Sequence, residues 1–524
     1  MKFIKKAVLF LLAIIILAAG LFYGGRYIIL KEFRHRLAST IEKLHQQGTD
    51  ITYDSLYLNS WNFIRLEGLT IKQQNINNNC SGLPLYFYAA EAKLEGLKIL
   101  PLIINKTISF HSIHLESPQI QYKQNLTFKE KRNKKAEIKE IRIDRLVINK
   151  GKIELLDSSS CDTLKRLSIN LALFDVRIND MNDTFASWSL GQLNANTVRI
   201  EFLKSFYTLT IKNVIYKSTK KIFSLDSVLL TPRYDKHTFA LKTGHQTDRV
   251  VCNIPSIIAS GFVLETLTKT KVHAESVSLK MKLEAYRDKR MPFLKKKETL
   301  LPVEFLHRLN FILQVDTLQL LSSYVKYEEV SEKGTQPGHI FFNQLTASIY
   351  NLSNNTNDNT VMHARTNFMD AGILKATFTF PADPNKFYHV KGELRNFPLP
   401  KINAMLKPIA SAQIDQGELV EMKFNFKYNN DHSNGEVLID YTGLKMSSIK
   451  RETKKERKFV TLLLNTLVRN NMDDNVSKSK KTGTILFYRD KKKAIFNYWW
   501  KSLLSGIKSV YNLDKVMDTD GKKN

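Results

Sequence analysis

The stretch ISFHSIHLESPQIQY, from Ile108 to Tyr122, contains the pattern that decides the fold. Its apolar residues alternate with polar ones, shift phase once in the middle, and then alternate again. Such alternation is typical of a β-strand with one buried face. The same fifteen-residue pattern, called the strand repeat below, returns as IRIDRLVINKGKIEL from Ile141 and as LQVDTLQLLSSYVKY from Leu313. Matches by chance within a long β protein are the alternative interpretation.

The phase shift predicts an irregular strand. In a continuous strand, the step of three from Phe110 to Ile113 would turn the second apolar pair to the opposite face. A β-bulge, or a bend between two short strands, would return it to the same face. Each copy then has a small or turn residue before its last alternating pair: Pro118, Gly151 and Ser323.

Alternation of period two continues to about residue 450. Met422 to Tyr428 alternate with lysine and asparagine, and the turn NNDHSNG leads into Val437, Ile439 and Tyr441. This is the pattern of strand, turn and strand. The sequence therefore predicts a mostly β fold, an elongated and curved antiparallel sheet or groove built from repeated strand patterns.

The N-terminal residues 1–30, MKFIKKAVLFLLAIIILAAGLFYGGRYIIL, predict a membrane anchor. Lys2, Lys5 and Lys6 precede an uncharged run from Ala7 to Gly25. Continued to Leu30, this run is about long enough to cross the hydrocarbon core of a bilayer. Lysines before the span favour a cytoplasmic N-terminus, with the bulk of the chain outside the cytoplasm. The alternative is a signal peptide cleaved near its small residues.

The formal charge of +29, from 79 basic and 50 acidic residues, implies an anionic partner. Nucleic acid and an anionic lipid surface are the two classes, and the predicted anchor argues against nucleic acid. Basic runs at 129–135, 450–458 and 477–481 would suit a membrane surface or a solvated loop. Three widely spaced cysteines leave the disulfide state undecided: Cys80, Cys161 and Cys252.

Four regions are predicted from these changes of pattern: an anchor over 1–30, β regions over 31–290 and 291–450, and a helical segment over 451–524. The basic stretch 284–302 is taken as the connector between the β regions. The C-terminal helix carries aromatic and basic residues, so it would either lie at a membrane interface or cap the sheet. Its candidate membrane-interface residues are Trp499, Trp500, Leu503 and Ile507.

Catalytic and cofactor motifs are not found in the sequence. His111 and His114 are three apart on a predicted strand, which points them to opposite faces and favours surface histidines. No serine or cysteine nucleophile is spaced to complete a catalytic set. We expect a protein that is not an enzyme and has no cofactor or metal.

The stretch VKGELRNFPLPKINAMLKPIASAQIDQGELVEMKFNFKYNNDHSNGEVLIDYTGLKMSSI, residues 390–449, resembles the C-terminal conserved block of the AsmA family of envelope proteins. The strand repeat after a single span is similar to the N-terminal strands of that family. The resemblance covers roughly 1–150 and 380–510. It implies a periplasmic protein anchored in the inner membrane, with an apolar β-groove and a role in lipid transport or outer-membrane assembly.

The expected function is binding or transfer of phospholipid, or of another envelope lipid, between membranes. The candidate lipid contacts are Phe110, Ile113, Leu115, Met422, Phe424, Phe426, Val437 and Ile439. The alternative is a scaffold or assembly factor for envelope proteins, and a hydrolase is a remote third class. Lipid binding predicts an accessible apolar face, whereas a scaffold predicts one packed against helices or a second sheet.

Overall fold

The computed structural model of the chain confirms a mostly β protein. It describes residues 35, 38–46, 48–60, 63–73, 85–98, 101, 104–123, 138–157, 160, 162–179, 187–265, 270–294, 298–410, 412–448 and 481–510.

The strands are numbered in chain order. They are β1 Thr49–Thr52, β2 Ser55–Ser60, β3 Phe63–Gln73, β4 Leu85–Glu95, β5 Thr107–Glu116, β6 Gln119–Lys123, β7 Glu140–Leu156, β8 Thr163–Asn179, β9 Ser187–Phe202, β10 Tyr207–Lys217, β11 Ile222–Leu225, β12 Ser227–Pro232, β13 Asp248–Ile254, β14 Ile257–Ser260, β15 Val263–Glu265, β16 Lys271–Leu279, β17 Lys282–Asp288, β18 Ile312–Val330, β19 Gly338–Ser353, β20 Thr360–Phe368, β21 Gly372–Phe380, β22 Tyr388–Pro398, β23 Ala412–Tyr428, β24 His432–Ser448 and β25 Lys481–Tyr488.

The helices are fewer and shorter. Residues 38–46 are helical, and the later helices are α1 Lys236–Thr243, α2 Pro302–His307, a 3-10 turn Leu399–Ile402, α3 Asn403–Ala410 and α4 Ile495–Val510. No helix among these described residues has the length and hydropathy needed to cross a membrane. The predicted anchor, residues 1–30, lies outside the described residues.

The chain divides into two compact units. The first unit comprises Met1–Leu230 and Phe262–Thr270, and the second comprises Thr231–Gly261 and Lys271–Asn524. The predicted boundary at 290/291 is displaced from this division. The reason is that β16 and β17, which precede residue 290, pair along their whole length with β18, which follows it.

In the first unit, most strands of the sheet pair in the order in which they occur along the chain. Strands β1 and β2 both pair with β3, and β3 pairs with β4. Strand β4 pairs with both β5 and β6, which run parallel to β7. Strands β7, β8, β9, β10 and β11 then pair in antiparallel order.

In the second unit, the same arrangement occurs. Strands β14 and β13 pair antiparallel with β16 and β17, and these run parallel to β18. From β18 to β25 each strand pairs antiparallel with the next. The sheet is therefore mixed, with parallel pairs at β7 and β18, whereas the sequence predicted an antiparallel one.

The parallel pairs join copies of the strand repeat to one another. In the first unit, Ile108 lies opposite Ile141, and Ile120 lies opposite Ile153, so equal repeat positions meet. In the second unit, the Leu313 copy pairs with residues 272–286, which form a fourth and weaker copy. The two units thus contain the same module, a pair of short strands alongside one long strand.

The phase shift is resolved as the sequence predicts. Phe110 and Ile143, before the shift, belong to the buried core of the first unit. Ile113 and Leu146, after the shift, pack against the same core. The next strand accommodates the shift at Asp175, which has a positive φ of 52°. The irregular position keeps both apolar pairs on one face.

A second irregular position lies at the tenth residue of each full copy. Ser117, Lys150 and Ser322 occupy this position and have φ values of 48°, 52° and 36°. The pairing register shifts beside Lys150 and beside Ser322, which marks β-bulges. The backbone N–H of Lys150 donates to Asn170 Oδ1 at 2.6 Å, so the bulged residue keeps a hydrogen-bond partner.

Each unit has its own core. In the first unit, aliphatic residues of β3 to β7 pack with Leu44 from the helical residues 38–46. In the second unit, residues of β22 to β25 pack beneath α2 and α4, with Tyr388, Tyr428 and Tyr498 almost completely buried. The helices therefore cover one stretch of apolar sheet in each unit.

Candidate functional site

The predicted lipid contacts of the first unit lie in or against its core. Phe110 is 3% exposed, and Ile113 and Leu115 are half-buried against the same cluster. Neighbouring strands and the helical residues 38–46 supply the other members of that cluster. These three side chains fill the covered end of the sheet.

The predicted lipid contacts of the second unit are covered. Phe424, Phe426, Val437 and Ile439 are between 0% and 6% exposed, and Met422 packs against them. Helix α4 lies over this part of the sheet. The expectation that these residues are exposed in a groove is wrong for this structure. Alternation identifies side chains that share a face, but it does not identify what covers the face.

Helix α4 approaches the sheet closely through small residues. A Cβ atom added to Gly506 would lie 2.6 Å from Ile485 Cγ1 and 2.7 Å from Val437 Cγ1. Beside it, the buried Ser502 hydroxyl is 2.7 Å from that of Ser433. A larger residue at position 506 would push the helix away.

Three of the four membrane-interface candidates face the core. Trp499 packs on Phe378 with ring centroids 4.7 Å apart, and Leu503 and Ile507 pack against the same cluster. Trp500 is 49% exposed. Helix α4 therefore caps the sheet, and Trp500 is the one of the four that remains largely open to solvent.

The same helix covers the outer strand of the second unit. The backbone N–H groups of Thr484 and Leu486 on β25 donate to the hydroxyls of Ser509 and Ser505, each at 3.2 Å. Unpaired strand edges invite pairing with another chain. The two serines satisfy two of these outward N–H groups.

An apolar face that the described helices leave largely uncovered lies on strands β7 to β10 of the first unit. Four cross-strand rows of mostly aliphatic residues run across these strands in register. Most of these side chains are half-buried, and the described helices do not pack extensively against β8, β9 or β10. The rows are Ile153, Leu167, Ile200 and Leu209; Gly151, Ile169, Val198 and Ile211; Ile148, Leu171, Ala195 and Val214; and Leu146, Leu173, Leu193 and Tyr216.

The bulges keep this aliphatic face continuous. Beyond the bulge at Lys150, the inward positions of β7 change from even to odd numbers, and those of β10 change from odd to even at Asn213, where φ is 50°. Without these irregular positions, half of each strand would present its polar residues on the face. The sequence contained this signal, since the strand repeat includes β7 and the residues of β9 and β10 alternate, but no residue of β8 to β10 was predicted as a lipid contact.

The opposite face of the same strands is ionic. Arg166 Nε lies 2.7 Å from Glu154 and its guanidinium 3.6 Å from Glu201, which also pairs with Arg199 at 3.2 Å. Cross-strand pairs of opposite charge stabilise a solvated sheet surface. Strands β7 to β10 therefore have one aliphatic face and one charged, hydrated face.

The residues considered for chemistry are paired with structural partners. His111 Nδ1 lies 3.4 Å from Asp144, and this contact does not involve His114. Asp288, in the stretch expected to be a connector, is buried on β17, where the Arg290 guanidinium lowers the pKa of its carboxyl. Among the described residues, no group of three or more potential metal ligands occurs.

Several sequence predictions concern residues outside the described ranges. They include most of the three basic runs, the first part of the predicted helical segment 451–524, and Cys80 and Cys161. Cys252 is described as a free, half-buried thiol, and burial raises its pKa.

No protein-family model matches the chain, and no curated protein matches it at a significant level.

Proposed function

We propose that this chain is a membrane-anchored periplasmic protein, not an enzyme, that binds envelope lipid and helps transfer it between membranes. Residues 1–30 would anchor it in the inner membrane, and its role would be in envelope homeostasis. The resemblance to the AsmA family suggests this class. The observation that carries the proposal is the aliphatic face of β7 to β10, which the described helices leave uncovered.

The proposed ligand contact follows from the cost of exposed apolar surface. Burying a fully exposed leucine or isoleucine side chain contributes about 1.5–3 kcal/mol. A ligand that covers the exposed part of a half-buried side chain therefore gains a fraction of this energy. A contiguous face of such residues normally has a ligand or a partner. An acyl chain lying across rows such as Leu171, Ala195 and Val214 would gain this energy without needing a specific polar contact.

The test compares the two faces of one strand. In Leu171→Asp, a carboxylate is placed on the aliphatic face, and in the matched control Ser168→Asp it is placed on the charged face of the same strand. The full-length chain is extracted in mild detergent, and co-purifying lipid is measured by native mass spectrometry. We expect near-stoichiometric phospholipid with the wild type and the control, and at least a tenfold loss with Leu171→Asp.

A photo-crosslinking residue at position 171, with position 168 as control, tests the contact without adding a charge. We expect crosslinks to lipid from position 171 only. A folded wild-type protein without lipid, or equal crosslinking from both positions, would exclude the aliphatic face as the lipid site.

The second candidate function is a scaffold for envelope assembly. One observation favours it: the apolar face around Phe424 and Phe426 is packed beneath α4, as a scaffold would require. If the wild type carries no lipid but assembly of envelope proteins fails without the chain, the scaffold is the better description. The two functions predict different results for Leu171→Asp. If lipid transfer is the function, this variant should have the same effect as deletion of the chain. If the chain is a scaffold, it should not.

A further inference from the structure

A groove of about 980 Å³ lies on the polar face of the second unit and crosses strands β18 to β25. Its charged lining residues are Arg365, Lys375, Lys391, Lys423, Glu393 and Glu436.

Several cations elsewhere on the polar faces of the sheets pair with carboxylates. Arg395 pairs with both Glu393 and Glu421 at 2.9 Å, and Lys423 pairs with Glu421 at 2.8 Å. In the first unit, Arg166 lies between Glu154 and Glu201 in the same way. Arg395 and Arg166 are thus each paired with a carboxylate on a neighbouring strand.

The centre of the groove differs from these paired cations. Arg365 on β20 lies directly opposite Lys375 on β21, and like charges in that position destabilise a sheet. Lys375 is 3.6 Å from Glu393, which is shared with Arg395. Among the described residues, Arg365 and Lys391 have no ion pair.

These three cations are close in the sheet. Lys391 on β22 lies opposite Thr377, two residues along β21 from Lys375. Neighbouring strands are about 4.8 Å apart and diagonal neighbours about 7–8 Å, so the long side chains can converge on one anion. Thr377 also lies opposite His363, whose Nδ1 is 3.1 Å from the threonine hydroxyl. The groove floor thus places hydrogen-bond donors beside the cations.

We propose that Arg365, Lys375 and Lys391 form a binding site for a phosphate group in this groove. Arginine binds phosphate through paired N–H donors, and lysine adds a point charge. The ligand offsets the repulsion between Arg365 and Lys375, which no carboxylate of the sheet neutralises fully. The site is on the second unit and does not depend on lipid binding by the aliphatic face of β7 to β10.

The test uses a charge-matched pair of double variants in the full-length chain. Arg365→Gln/Lys391→Gln removes two cations of the site, and Lys427→Gln/Lys445→Gln removes two exposed cations outside the groove lining. Binding of inorganic phosphate and of dihexanoyl phosphatidylglycerol is measured by calorimetry in an uncharged detergent at constant ionic strength. Thermal unfolding establishes that each variant is folded.

We expect at least one probe to bind the wild type and the control, and the groove variant to bind it at least tenfold more weakly. Binding of inorganic phosphate alone would identify a soluble phosphate compound as the ligand, and binding of the lipid alone would identify a headgroup. Absence of binding by both probes, or equal losses in the two double variants, would overturn the proposal. Leu171→Asp is expected to leave this binding unchanged, which separates the two proposals.

Discussion

At the residue scale, the bulged positions of the strand repeat explain how long strands keep one apolar face. Lys150 and Ser322 adopt a left-handed backbone conformation that few residues other than glycine adopt easily. Gly151, which follows Lys150, has no room for a side chain, because an added Cβ would lie 2.7 Å from Ile148 Cγ2. In the copy that starts at Ile141, the bulge therefore combines a positive φ at Lys150 with a close approach at Gly151.

Lys150→Gly should stabilise the first unit. Relief of the left-handed conformation should raise the free energy of unfolding by about 1 kcal/mol. The greater conformational freedom of glycine in the unfolded chain offsets part of this gain. The control is Lys152→Gly on the same strand, where φ is not positive and the change should lower stability. Denaturant unfolding of both variants measures the difference, and a destabilised Lys150→Gly protein would contradict the account of the bulge.

At the element scale, helix α4 decides which apolar surface is available. Its buried side includes Tyr498, Ser502 and Gly506, and its exposed side includes Phe496 at 66% and Trp500 at 49%. The sequence predicted the helix and left its placement open between a membrane interface and the sheet. The structure places it on the sheet, with two aromatic residues facing outward.

Adjacent tryptophans of α4 should behave differently. Trp499→Ala removes a ring packed on Phe378 and Tyr428 and should lower the free energy of unfolding by about 3 kcal/mol. Trp500→Ala removes a largely exposed ring and should change stability by less than about 0.5 kcal/mol. Chemical denaturation tests both variants. Equal effects would mean that α4 does not hold the position described.

At the scale of the whole molecule, the chain consists of two compact units that repeat one module. Each unit has a separate buried core, built around Leu66 and Ile108 in the first and around Tyr388 and Tyr428 in the second. Separate cores favour separate unfolding units, because stability is then local to each core. The aliphatic face and the phosphate groove would also belong to different units.

Loss of the α4 contacts should therefore affect one unit only. In Trp499→Ala, backbone amides of β22 to β25 should exchange with solvent faster, whereas those of β3 to β7 should keep their protection. Hydrogen exchange followed by mass spectrometry, resolved by peptide, measures both units in one experiment. Faster exchange throughout the chain would show that the two units unfold together.

Much of the local structure could be predicted from the sequence. Alternation identified the strands around Ile141, Leu313 and Phe424, and the phase shift predicted the irregular position that Asp175 accommodates. These features are local, because the side-chain period and the backbone conformation depend on a few consecutive residues. Helix α4 was predicted for the same reason.

The tertiary structure alone decided how those elements are paired and covered. Parallel pairing of repeat copies, the division near residue 231 and the burial of Phe424 beneath Tyr498 join residues far apart in the chain. An apolar side chain has the same sequence signature whether it faces a helix or a ligand, because burial depends on what lies opposite. For this reason the sequence by itself determined the strands and their bulges, and only the fold determined that the open aliphatic face lies on β7 to β10.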